Sequence, residues 1–388
     1  MILEDVNLVE LEQDNDSSPY FFRTRIMDII TDKGKFSTPA RVITRTEQVA
    51  RSNAGISKTL PKELEIDFRI LLDSQVRDFQ NDSKVVQNLV RMTKQFNDYT
   101  RKAIFRISIF QPAQNSLNNL SNKEKINFAE LQADFLQIRL GSNLITYPFL
   151  DLSSSEYIDF IKTHYKRDHN FSTLFVLDLA MEPTTLKKIL DYFVKMEEPI
   201  IIPIIYRDWT KTAAQHAIIA SYFNNRKIAF FSCQTPREIQ AGANSISNLH
   251  SISIGTGFDL VSLEQPRGFG KANLNLNRIK FFSPKTFHID NIMTTMSQSD
   301  RELVEEFELN EFNKNDRDYL NSVFAGYRGA LVHPKKFDIL LYIAKMHEAL
   351  TSSKEFDKIR ETIQKKETEE FIINSDLKNV PLIRSKRI

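Results

Sequence analysis

The chain alternates between short apolar runs and longer segments in which apolar residues recur at helical spacing. The runs have the length of β-strands and are nearly continuous in Val, Ile, Leu and Phe, which is typical of strands covered on both faces. Because most runs are followed by a helical segment, the pattern predicts parallel strands joined by right-handed crossovers. The predicted strands are residues 40–44, 68–72, 104–110, 144–150, 173–179, 200–206 and 228–233, with a last one within 252–263.

The segments between these runs predict the helices, and two of them begin with recognisable capping residues. Ser153 precedes Glu156 at the spacing of a capping box. Thr235 stands directly before Pro236, a pair suited to the N-cap and the first helical turn. The predicted helices are residues 47–53, 84–101, 122–140, 155–165, 184–196, 212–223 and 236–243.

The number of runs, about eight, is the number at which a parallel sheet closes into a (β/α)8 TIM barrel. An open, doubly wound sheet is the alternative. It fits less well, because the first strand is not followed by a glycine-rich phosphate turn and the whole chain has 10 glycines. We therefore predict an α/β fold, with a barrel over residues 1–285. Residues 286–388 are predicted to form an α-rich C-terminal subdomain with helices at 316–324 and 335–350.

Composition narrows the class of protein without naming a function. Hydrophobic residues make up 41% and charged residues 26%, a globular balance, and the net charge is +2, so nucleic-acid binding would need a local basic patch. Cys233 is the single cysteine, which excludes an internal disulfide and a cysteine-rich zinc site. The acidic start lacks the features of a signal peptide, and no apolar run is long enough to span a bilayer. We predict a soluble, cytoplasmic protein.

Four stretches, in order along the chain, carry a resemblance to one enzyme family. They are ITDKGKFSTPARVIT ending at Thr44, LQIRLGSNLITYPFLDL over Leu136–Leu152, FFSCQTPREIQAGA over Phe230–Ala243, and GFDLVSLEQPRGFG over Gly257–Gly270. Together they resemble the tRNA-guanine transglycosylase superfamily, pentosyltransferases that exchange guanine in a nucleic acid for a 7-deazaguanine base on a (β/α)8 barrel. The C-terminal stretches RDYLNSVF and LVHPKKFDILLYIAKMHEAL are similar to the helical part of that family's zinc subdomain.

The resemblance implies a site. Asp259 would be the catalytic nucleophile, near the C-terminal end of the last strand, where a barrel places its chemistry. Arg267 in the following loop would hold phosphate or base. Phe110 would stack on the flipped base, Gln111 would read its edge, and Asp151 would match an acidic base-recognition position. For each residue a structural role is the alternative: strand-end capping for the aspartates, a solvated loop for Arg267, core packing for Phe110 and backbone bonding for Gln111.

Departures from the family pattern matter equally. His333 is the counterpart of the zinc-ligand histidine, but the region that would supply the family's three cysteine ligands, residues 307–315, contains no cysteine, so we predict no metal, and no cofactor is implied. Arg106 stands where the family has an aspartate, and the glycine pairs of the base pocket are replaced by DLAMEP and IIYRDW. Trp209, after the second of these, would line the barrel mouth or pack on the next helix.

The predicted function is therefore base exchange of guanine for a 7-deazaguanine, as in queuosine or archaeosine formation, in tRNA. Lys166 and Arg167, beside an aromatic residue, form a basic loop compatible with nucleic-acid binding. Three alternatives stay open: a DNA-acting relative, a non-catalytic RNA-binding paralogue or subunit, and an unrelated (β/α)8 enzyme. The expected partners are tRNA or DNA and the incoming base, with no membrane; a homo- or heterodimer is implied by the family alone.

Overall fold

The computed structural model describes a large part of the chain. The described residues are 2–12, 23–47, 64–79, 87–91, 103–140, 142, 144–165, 171–209, 211–236, 238–241, 244–247, 253–264, 280–282, 289–291 and 334–374.

Parallel strands form the centre of the molecule, as the apolar runs predict. The parallel strands are β4 Ala40–Arg41, β5 Ile43–Thr44, β6 Leu64–Leu71, β7 Phe105–Pro112, β8 Leu144–Tyr147, β9 Ser172–Phe175, β10 Leu177–Asp178, β11 Ile200–Ile205, β12 Ile228–Thr235 and β15 Leu260–Leu263. One sheet has the order β10-β11-β12-β15-β4 and a second has the order β5-β6-β7, while β8 pairs with β9. The α/β class is therefore confirmed.

Two single runs of chain connect these sheets. The run containing β4 and β5 pairs with β15 at its start and with β6 at its end. The run containing β9 and β10 pairs first with β8 and then with β11. The parallel strands consequently follow one another in the spatial order β8, β9/β10, β11, β12, β15, β4/β5, β6, β7.

Helices follow most of the strands. Capping boxes stand at the starts of α3, Asn122–Asp134, and α4, Ser154–His164. In α4, Ser153 accepts a hydrogen bond from the Glu156 amide while the Glu156 carboxylate accepts from the Ser153 amide, as the spacing predicts. The end of the helix predicted over 122–140 is a π-helical turn, Phe135–Arg139. The helices are α1 Asp73–Phe79, α2 Gln114–Asn118, α3 Asn122–Asp134, α4 Ser154–His164, α5 Pro183–Met196, α6 Ala213–Ser221, α7 Pro334–Lys365 and α8 Thr368–Asn374.

Several antiparallel elements were not anticipated. An N-terminal sheet is formed by β1 Leu3–Glu12, β2 Thr24–Thr31 and β3 Gly34–Ser37. The helix predicted over 236–243 is wrong: β13 Glu238–Ala241 pairs antiparallel with β14 Asn244–Ser247, with Ile239 opposite Ile246 in the register, so this segment forms a hairpin. A further pair joins β16 Lys280–Phe282 to β17 Ile289–Asn291.

The C-terminal helix packs on the same core as the parallel strands. Phe356, Ile359 and Ile363 of α7 belong to the apolar cluster that also contains the strand residues, and Arg360 donates to the carbonyl of Pro39. The helix predicted at 335–350 is present as the first part of α7, which continues to Lys365. The division into domains at residue 285 stays a prediction, and the helix predicted at 316–324 lies outside the described residues, as does His333.

Candidate functional site

A cleft of about 280 Å³ opens at the carboxyl ends of the parallel strands. Its walls come from at least five strand ends, which is where α/β proteins with parallel sheets bind their ligands. Apolar surface and polar groups are combined in it, as in small-molecule sites generally. The lining residues are Phe68, Ile70, Gln111, Pro112, Ala113, Gln114, Asp178, Ile205, Tyr206, Arg207, Asp208, Gln234, Pro236 and Glu264.

A bidentate ion pair stands in this cleft. Arg207 donates from Nε to Oδ1 of Asp178 at 2.8 Å and from Nη2 to Oδ2 at 2.6 Å. The Ala180 amide also donates to Asp178 Oδ1, so the carboxylate is held on both sides. Asp178 is 1% exposed, whereas the Arg207 side chain is 41% exposed. The hydrogen bonds that Arg207 donates to Asp178 raise the pKa of Arg207, which keeps the guanidinium charged.

The two other carboxylates of the cleft sit on loops whose backbone is well anchored. The carbonyl of Asp208 accepts hydrogen bonds from the Lys211 and Thr212 amides and from the Thr212 hydroxyl. Glu264 directly follows β15, and its amide donates to the carbonyl of Thr235 at 2.8 Å. Asp208 is half-buried and Glu264 is exposed, and both residues line the cleft.

A buried histidine on α6 holds the backbone of the Arg207–Asp208 segment in place. His216 of α6 donates from Nε2 to the carbonyl of Arg207 at 3.4 Å, and its ring contacts Tyr206 edge-on at 5.3 Å between centroids. Burial lowers the pKa of His216 to about 4, so the ring is neutral at physiological pH. Burial also raises the pKa of Tyr206, which stays a neutral phenol. Trp209 packs against the core beside them and does not line the cleft.

Backbone strain also occurs at the cleft. Gln234 has φ of 59°, a left-handed conformation that a side chain with a Cβ rarely adopts. It lies within β12 at the carboxyl end, where it lines the cleft. Non-glycine residues in this region are concentrated at functional sites, so this outlier adds to the case for the cleft.

Asp259 is placed elsewhere. It precedes the first residue of β15, which corrects the expectation that it lies near the C-terminal end of the last strand. Both carboxylate oxygens are engaged: Oδ1 accepts from Arg25 Nε at 2.8 Å, and Oδ2 accepts from Arg25 Nη2 at 2.7 Å and from the Phe230 amide at 2.8 Å. The residue is 2% exposed and does not line the cleft.

Arg25 extends this arrangement into a network that links three elements. From β2 it donates to the carbonyls of Asn225 and Ile228 in addition to Asp259. The N-terminal sheet is thereby attached to the amino ends of β12 and β15. A carboxylate so fully bonded is suited to holding structure together.

The predicted base-binding residues are divided. Phe110 is buried between β7 and the helices, where its ring packs edge-on against Phe135, so it is not positioned to stack on a base in the cleft. Gln111 does line the cleft, but its amide oxygen accepts from the Phe149 amide and its nitrogen donates to the Phe149 carbonyl, which favours the backbone-bonding alternative. Asp151 is exposed, with φ of 51°, and does not line the cleft.

The remaining predicted residues, Lys166, Arg167 and Arg267, lie outside the described part of the chain, so their roles stay predictions. Among the described residues, no cluster of three or more His, Cys, Asp or Glu could hold a metal ion. Across the same residues, no helix has the length and apolar character to cross a membrane.

The site residues that sequence reasoning missed are Asp178, Arg207, Asp208 and Glu264. Each carries a charge directly at or after the end of an apolar run, and that position was the available signal.

No protein-family model matches the sequence, and a search of curated proteins found no match. Function is therefore inferred from the residues of the chain itself.

Proposed function

We propose that the parallel strands close into a (β/α)8 barrel. Support comes from the first and last strands of the spatial order, β8 and β7, which are bridged by side chains. Thr146 of β8 donates to the carbonyl of Ser108 in β7, and Gln111 at the end of β7 bonds both backbone groups of Phe149 just after β8. Closure would place every carboxyl strand end around one mouth, which is where the cleft lies.

We further propose that the cleft is the active site of a nucleic-acid base-exchange enzyme, the activity that the family resemblance implies. The observation that carries the proposal is the convergence of carboxylates from two strand ends, Asp208 and Glu264, on a cleft with apolar walls. Its volume of about 280 Å³ lies just below the roughly 300–1,000 Å³ typical of ligand sites, so it suits a small group about as large as one nucleobase. A target nucleotide would be flipped from its stack to enter.

Glu264 is the proposed nucleophile. The resemblance assigns the chemistry to Asp259, which directly precedes β15, and Glu264 directly follows the other end of that strand and lines the cleft. A Glu264 oxygen attacks C1′ of the ribose, the C1′–N9 bond breaks, and its electron pair leaves with the base, which Asp208 protonates. The incoming base then gives its N9 proton to Asp208 and attacks C1′, which releases the Glu264 carboxylate.

The test is incorporation of labelled guanine into bulk tRNA and, in parallel, into DNA. We expect E264Q to lose at least about 10³-fold in rate, since it removes the attacking oxygen. D259N should keep its rate per folded molecule, because Asp259 serves the fold. D159N is the matched control: Asp159 is 72% exposed on α4 and does not line the cleft.

The outcomes separate the alternatives. Loss of exchange in folded D259N, with E264Q fully active, would return the chemistry to the position that the resemblance favours. Incorporation into DNA alone would identify a DNA-acting enzyme. Binding of tRNA by the wild-type chain without incorporation of any base would identify a non-catalytic subunit.

A further inference from the structure

The Asp178–Arg207 pair leaves one specific edge of the guanidinium unused. Asp178 occupies the side-on edge, formed by Nε and one hydrogen of Nη2. The end-on edge, formed by Nη1 and the other hydrogen of Nη2, makes no hydrogen bond to any part of the chain that the structure describes. The guanidinium is planar and is held at two points, so the direction of this free fork is set by Asp178.

The charge of the surroundings indicates what this fork can bind. Asp178 already balances the charge of Arg207, and the Glu264 carboxylate lines the same cleft. An anionic group would therefore meet net repulsion, whereas a neutral group with two adjacent acceptors would not. The O6 and N7 atoms of a 6-oxopurine are such a pair, and bidentate donation to them is the commonest specific contact that arginine makes with guanine. Adenine presents an amino donor at the same place.

We infer that Arg207, held by Asp178, is the specificity-determining residue of the cleft and selects 6-oxopurines by donating to O6 and N7. This inference rests on the proposed function. It also distinguishes the two bases of the exchange: a 7-deazaguanine has carbon in place of N7 and keeps one of the two hydrogen bonds. The departing guanine is therefore held more tightly by Arg207 than the base that replaces it.

Equilibrium dialysis of labelled guanine, 7-deazaguanine and adenine against the full chain tests this directly. For the wild type we expect guanine to bind roughly 5- to 150-fold more tightly than adenine, the range for a good bidentate contact, with 7-deazaguanine in between. R207K replaces the fork by a single point charge, so the preference for guanine over 7-deazaguanine should fall to about unity. D178N should weaken the preference as well, since it releases the fork. R77K, at an arginine that is 75% exposed on α1, is the matched control and should change nothing.

The results distinguish failure of this inference from failure of the proposed function. Equal binding of guanine and 7-deazaguanine by the wild type overturns the inference without any variant. A preference that survives in R207K overturns it too, and in either case base exchange by the wild type would leave the proposed function standing. A wild-type chain that neither binds a purine base nor exchanges one would overturn both.

Discussion

Two buried aspartates, each bound by an arginine in a two-point ion pair, stand at opposite ends of the parallel strands. At the amino end, both Asp259 and Arg25 are nearly inaccessible, at 2% and 3% exposure. At the carboxyl end, Asp178 is equally buried, but Arg207 keeps 41% of its side chain exposed in the cleft. The chemistry of the two pairs is the same. The exposure of the arginine, and not the ion pair itself, therefore distinguishes a pair that stabilises the fold from one that can bind a ligand.

The largest expected effect is at the amino end. R25M leaves the Asp259 carboxylate buried without its partner, and we expect the free energy of unfolding to fall by about 3–5 kcal/mol. Urea denaturation followed by circular dichroism measures it. Replacing both residues, in R25M/D259L, should recover part of the loss because no uncompensated charge remains. A single-variant loss below about 1 kcal/mol would contradict the structural role of this pair.

Acid should act on the carboxyl end through His216. Its pKa falls from the ordinary value of 6.5 to about 4 on folding, so the unfolded chain binds the proton more readily between these two values. The contribution is fully present above about pH 6.5 and is lost progressively down to about pH 4, by roughly 3 kcal/mol in total. The measurement is the free energy of unfolding at pH 7.5 and at pH 4.5.

H216Q provides the comparison, because glutamine can also donate to the Arg207 carbonyl but does not titrate. The wild type should lose more stability than H216Q over this pH interval. Parallel pH profiles for the two proteins would show that His216 is not held neutral by its burial.

A smaller effect is expected for the second ion pair. R207M also removes the partner of a buried aspartate, but the arginine is partly exposed and solvent screens the pair. We expect a loss of about 1–2 kcal/mol in urea denaturation. If R207M destabilised the chain as strongly as R25M, the contrast between the two ends would disappear.

The smallest effect is expected for an ion pair that lies wholly on the surface. Lys162 and Asp159 are 3 residues apart on α4, with side chains 54% and 72% exposed. K162A should leave the midpoint of urea denaturation unchanged within error, since solvent screens such pairs. A clear shift would mean that exposure is a poor guide to the role of ion pairs in this protein.

The strand predictions agree well with the structure because strands buried on both faces require continuous apolar residues. All eight runs contain a strand, although the bounds differ by several residues. The same continuous apolar pattern does not show which face of the sheet each side chain occupies, because both faces are apolar. Phe110 ends one apolar run and Gln111 follows it in β7, yet only Gln111 reaches the cleft, because alternate residues of a strand point to opposite faces.

The position of Asp259 relative to β15 could not be predicted from the sequence. The run over 252–263 looked like one strand, but residues 253–255 form a helical turn and Gly257 has φ of 100°, so the strand begins at Leu260. An apolar pattern does not locate this start. The partner of Asp259 is 234 residues away along the chain, which no local spacing reveals.

The order of apolar runs and helical segments was thus sufficient to predict an α/β protein with parallel strands, since burial on both faces restricts which residues can occupy such strands. Tertiary structure alone decided which charged residues meet: Arg25 with Asp259 at the amino ends, and Asp178 with Arg207 beside Asp208 and Glu264 at the carboxyl ends. The physical reason is that hydrophobic periodicity is a local property of the chain. Ion pairs and clefts, by contrast, depend on the register of strands that are distant in sequence.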